Sequence, residues 1–68
     1  MIVSVNGSPR ELPTDATVAT AVELMTDAPQ GRGVAVAVGG EVVPRGAWEN
    51  TMLTDGAAVE IVVAVQGG

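Results

Sequence analysis

The clearest chemical handle in the chain is its own terminus, Gln66-Gly67-Gly68. Two residues without Cβ make the thinnest tail a polypeptide can present, one able to pass through a narrow channel. An α-carboxylate is ionised at neutral pH, so it is a poor electrophile until activated and a usable nucleophile towards the α-phosphate of ATP. The competing reading is a frayed end without a role. Other candidates have simpler explanations. Gly39-Gly40 lacks the further glycines, lysine and following helix of a phosphate loop, and reads as a hairpin turn. Asp15, Glu23 and Asp27 match no calcium-loop spacing and read as a solvated surface. Trp48, the single aromatic residue, reads as core cover rather than a binding hot spot. Arg45 is a solvated loop charge or a partner contact, two readings the sequence leaves open.

The missing residue types narrow the chemistry further. Without Cys or His there is no zinc site of the usual nitrogen and sulfur kind. Thiolate, imidazole and, for want of Lys, Schiff-base chemistry are absent as well, so side-chain catalysis is disfavoured. No disulfide can staple the fold. Eight acids face three arginines, a net charge of −5, which repels phosphate backbones and anionic lipid. Nucleic acid and membrane are therefore not expected partners. Neither a transmembrane span nor a cleaved signal is apparent, and the expected location is the cytoplasm.

The chain has 68 residues, enough for one small core with about 60% of its surface buried. Met1 to Asn6 alternates and predicts a strand; Asn6-Gly7-Ser8-Pro9 predicts a turn, and Arg10 to Leu12 a short return strand ended by Pro13. From Thr17 to Met25 the period changes. Val18, Ala21, Val22 and Met25 form one helical stripe, with Thr17 as N-cap and Thr14 as its competitor. Val34 to Val38 alternates strictly, and Gly39-Gly40 turns it into Glu41-Val42-Val43. Pro44 to Trp48 breaks that strand and has room for a helical turn, Asp55-Gly56 is a turn, and Ala58 to Val65 predicts the last strand.

Hairpin, helix, hairpin and final strand, joined by a right-handed crossover, give one helix on a mixed sheet of four to five strands. This is an α+β, β-grasp or ubiquitin-like layout: a domain over residues 1–65, with residues 66–68 as a flexible diglycine tail. The last strand is expected beside the first. With Val3, Val5, Val36, Val38, Val59, Ile61 and Val63 facing the helix, period two sends Ile2, Ala35, Ala37, Val62 and Ala64 to the opposite face. An outer face so small and apolar predicts a docking surface, with self-association or loop cover as its rival.

The strand VAVAV, the Val43-Pro44-Arg45-x-x-Trp48 segment, the Asp55-Gly56 turn, VEIVVAV and terminal Gly67-Gly68 resemble the ThiS family, ubiquitin-like sulfur carriers of thiamine biosynthesis. The resemblance spans nearly the whole chain; Gly39, where similar chains often carry Asn, is a harmless departure in a turn. It implies that a ThiF-like adenylating enzyme, using MgATP, activates the Gly68 carboxylate. Sulfur from a cysteine desulfurase then gives a thiocarboxylate, and the tail Gln66, Gly67 and Gly68 threads into a ThiG-like thiazole synthase. The carrier would be a co-substrate rather than an enzyme, holding no cofactor or metal itself. Rival expectations are a sulfur carrier of another pathway, like the small subunit of molybdopterin synthase, and a non-covalent ubiquitin-like adaptor. Ile2, Ala35, Ala37, Arg45, Val62 and Ala64 are the expected docking residues.

Overall fold

A computed structural model describes residues 1–27 and 32–64. In chain order they form β1 (Ile2–Val5), β2 (Ser8–Glu11), α1 (Val18–Met25), β3 (Val34–Val38), β4 (Glu41–Val43), a 3₁₀ helix (Arg45–Asn50) and β5 (Ala58–Val63). The strands make one mixed sheet in the order β2-β1-β5-β3-β4. β1 and β5 run parallel, and the other three pairings are antiparallel. The last strand thus lies beside the first, as the element order predicts.

The first hairpin corrects one expectation. Its turn is only Asn6-Gly7, both at positive φ (51° and 85°), and Ser8 and Pro9 belong to β2 rather than to the turn. Pro9 stands opposite Ser4, whose N–H bonds Ala57 across the other side of β1 at 2.9 Å. The Ser4–Pro9 pair is therefore one of those that exchange no ladder bonds, and the proline nitrogen faces outward from an edge strand. The second hairpin turns at Gly39-Gly40 with both φ positive (60° and 81°), the geometry that matches strand twist.

Thr17, not Thr14, caps α1. Its Oγ1 accepts the Thr20 N–H at 3.3 Å and its own N–H donates to Thr20 Oγ1 at 3.2 Å, a reciprocal box built with threonine instead of glutamate. Eight residues are too few for a helix to persist alone. Burial of Val18, Ala21 and Val22 on the sheet holds it. So does a backbone zipper unmarked in the sequence: Val18 N–H to Thr51 O and Leu53 N–H to Ala16 O, each 3.0 Å. Leu53 and Leu12 complete the core beside Val3, Val36, Val59 and Ile61.

Val63 is the second correction. Period two assigns it to the helix-facing set, yet it is 48% exposed. β1 stops at Val5, opposite Val59, so by Val63 the last strand has a neighbour on its β3 side alone. Val65, the predicted end of that strand, lies outside the described residues.

Candidate functional site

The predicted reactive residues, Gln66, Gly67 and Gly68, lie outside the described residues, so the site is built from the strand that leads to them. β5 occupies the centre of the sheet, with hydrogen-bonding neighbours on both sides. On one side it pairs with β3 from Val38–Val59 to Val34–Val63. Beyond the strand, Ala64 N–H still donates to Gly33 O at 2.7 Å. Gly33 sits at φ 71°, a left-handed conformation that glycine adopts without strain. On the other side β1 supplies two residues of parallel register and then turns away.

Asn6 takes over where β1 leaves. Its backbone N–H donates to Val59 O at 2.9 Å. Its side-chain Nδ2 donates to Ile61 O at 2.9 Å, and its Oδ1 accepts the Ile61 N–H at 2.8 Å. The carboxamide thus stands in for a peptide unit and carries the ladder one step further. Sequence reasoning reads Asn6 only as a turn former. The Asn-Gly pair signals the turn, and nothing in the sequence signals the clamp.

The outer face divides. Ala35, Ala37 and Val62 come together and, with Val36, Val42 and Glu60, line a shallow apolar groove across β4, β3 and β5. Val62 is 64% exposed and Val42 72%. Val42 is missing from the predicted patch, although the Gly39-Gly40 turn places it opposite Ala37 and so on the same face. Ala64 follows Val62 by two residues and is exposed. Ile2 does not join them. Its carbonyl accepts the Gly56 N–H at 2.7 Å, six residues before Val62. At strand rise that separation is about 20 Å. Arg45 is exposed at the start of the 3₁₀ helix, just past β4, at the end of the sheet where β5 also finishes.

Trp48 belongs to the architecture. It is 6% exposed, and its Nε1–H donates to Val43 O at 2.9 Å. Ala47 N–H meets Pro44 O at 2.8 Å. The Val-Pro-Arg-x-x-Trp spacing is thus the length needed for the indole to close back on the strand it follows. Among the described residues, no three acidic side chains gather as a metal site would require, and no helix is long and apolar enough to cross a membrane.

The ThiS family model matches residues 3–68, nearly the whole length of the sequence. The chain belongs to the ThiS family. Two solved structures of a thiamine biosynthesis protein from Geobacter metallireducens agree. The crystal structure, described as ThiS, is 33% identical, with a TM-score of 0.81 and full coverage of both chains. The solution structure is 31% identical with a TM-score of 0.82, covering 100% of this chain and 88% of that one. No functionally curated protein matches the sequence. The five-stranded mixed sheet with one helix is thereby the β-grasp fold of ThiS structures.

Proposed function

We propose that this ThiS-family chain is the sulfur carrier of thiazole formation in thiamine biosynthesis, and that Gly68 is the residue modified. The observation that carries the reading is the family match extending through the terminal diglycine, residues 3–68. The Gly68 carboxylate attacks the α-phosphate of ATP held by an adenylating enzyme, pyrophosphate leaves, and a mixed anhydride forms. Sulfur arriving as a cysteine desulfurase's persulfide is released at the sulfide level by a thiol reductant, which ends as a disulfide, and displaces AMP to leave a thiocarboxylate. A thiazole synthase then accepts the sulfur. ATP, magnesium and the catalytic side chains are the partners', and the cytoplasm is where such partners meet the carrier.

Composition supports the reading. A carrier without Cys offers no side-chain thiol to capture persulfide, and one without Lys has no ε-amine to attack its own activated end. From Ala64 to Gly68 a fully extended chain spans at most about 14 Å, so a partner that acts on the Gly68 carboxylate must bring its active site close to the end of β5. The groove of Ala35, Ala37, Val42 and Val62 is the docking surface we assign to that approach, with Arg45 at its margin and Ala64 leading to the tail. Ile2 is too far along the sheet to share it.

The test is the intact mass of the protein after incubation with an adenylating enzyme, ATP and a sulfur source. A gain of about 16 Da, one oxygen replaced by sulfur, is expected. No gain under conditions that convert a known carrier would overturn the proposal. Co-purification with a thiazole synthase rather than a molybdopterin synthase large subunit separates this pathway from its nearest rival. A non-covalent adaptor predicts instead that loss of Gly67-Gly68 leaves pathway output unchanged.

A further inference from the structure

We infer that Asn6 is a positioning residue for the carboxyl-terminal chemistry: its side-chain clamp on Ile61 holds the last stretch of β5 in line so that the tail leaves from a fixed root. The inference rests on the function proposed above and adds to it a residue far from the terminus in sequence. Asn6 and Ile61 are 55 residues apart, joined by two bonds of 2.8 and 2.9 Å.

Three features of the molecule support it. First, the clamp is placed where the sheet fails. β1 ends at Val5, and alternation directs the N–H and C=O of Ile61 towards the side β1 has vacated, as Ala57 O and Val59 O already point there to Ser4 and Asn6. Without the carboxamide both Ile61 groups would have only water on that side. Second, the clamp is specific to the amide. Oδ1 accepts and Nδ2 donates in one plane, matching the N–H and C=O of one residue. A carboxylate in the same place has no donor and would set oxygen against the Ile61 carbonyl. Third, the turn and the clamp are built on the same residue. Asn6 sits at φ 51°, a left-handed conformation that Asn tolerates, and the reversal there places its side chain over β5 rather than along β1.

The consequence for function lies in ordering. Ile61 is buried, whereas Val62, Val63 and Ala64 are exposed, so past Ile61 little packing fixes the strand. The clamp and the β3 ladder must fix it, and with the clamp lost the root of the tail has to be ordered inside the partner's active site before the carboxylate can attack. Of the groove residues only Val62 lies past Ile61, and it is paired with Ala35 on β3, so docking depends on that ordering far less than the chemical step does.

Asn6→Gly removes the side chain and keeps the backbone free to hold positive φ, while Asn6→Asp keeps the acceptor and replaces the donor. Each would be assayed for adenylation (pyrophosphate release) and for the 16 Da gain, at a temperature where circular dichroism shows it fully folded, alongside amide hydrogen exchange. At Ile61 exchange should quicken about tenfold or more relative to Val36 and Val22, the scale of one to two lost hydrogen bonds. For adenylation, kcat should fall by about tenfold while KM stays within about twofold, the ordering of roughly one residue being moved into the chemical step. A purely structural role gives the opposite split, because a smaller folded fraction raises the apparent KM and leaves kcat at saturation unchanged. Unchanged kcat in both variants, or unchanged exchange at Ile61, would overturn the inference. Should neither variant fold, exchange in the wild-type chain decides: the Ile61 amide must be protected to within about tenfold of Val36, and fast exchange there would overturn the clamp. A wild-type chain that never gains 16 Da would sink the functional proposal instead, leaving the exchange measurement to judge the clamp on its own.

Discussion

At the scale of single residues, the proposed chemistry asks only that Gly68 keep a carboxyl group and that the atoms before it stay slender. Deleting Gly68 should abolish the mass gain and leave the melting temperature unchanged within about 1 °C, because a terminal residue without a side chain brings little apolar surface to bury. Thermal denaturation of the truncated chain checks the second half; a drop of several degrees would mean the tail packs on the domain. Blocking the terminus as an amide should likewise prevent conversion. Trp48→Phe tests the opposite kind of residue. It keeps most of the buried ring and loses the bond to Val43 O, so chemical denaturation should show a loss of about 1 kcal/mol or slightly more with sulfur loading unaffected. The sequence made Gly68 and Trp48 visible through residue type alone. Asn6 was hidden for a physical reason: a side chain's second partner depends on which strand arrives beside it, and that is a tertiary fact.

Among the elements, β5 links the domain to the proposed reaction and also forms part of the groove proposed for docking. Val62→Asp should weaken binding to the adenylating enzyme or the synthase by about 1–3 kcal/mol, measured by titration calorimetry, since the side chain points outward and its loss costs the core nothing. Unchanged affinity for both partners would move the docking surface elsewhere. Ile2→Asp is the natural control and should leave both affinities unchanged, given the length of sheet between Ile2 and the groove. Strand and helix assignments were readable because their periods differ and because two glycine-containing turns fix the hairpins. Element ends are less legible. Residue type puts Pro9 in the turn, yet a proline ends pairing only if its nitrogen faces a neighbour, and edge placement is invisible until the sheet order is known. Val63 is misplaced by alternation for a related reason: period two gives the face, not how far the neighbouring strand extends.

For the molecule as a whole, a small core without disulfides makes each buried side chain count. Leu53→Ala should cost about 2–4 kcal/mol, enough to lower the melting temperature of a 68-residue domain by 10 °C or more in scanning calorimetry. Leu53 was not singled out in the sequence because it lies between elements, in the stretch that zips to Ala16 rather than in any periodic run. The central position of β5 has a mechanical consequence. An enzyme that draws the carboxyl end into its active site pulls along the axis of a strand bonded laterally to β3 and, through its first half and the Asn6 carboxamide, to β1. Those bonds lie across the line of force and are loaded together in shear, instead of being peeled one by one as at a sheet edge. A tug on the terminus would therefore stop at the root, and the domain could be hauled up against a partner without coming unravelled.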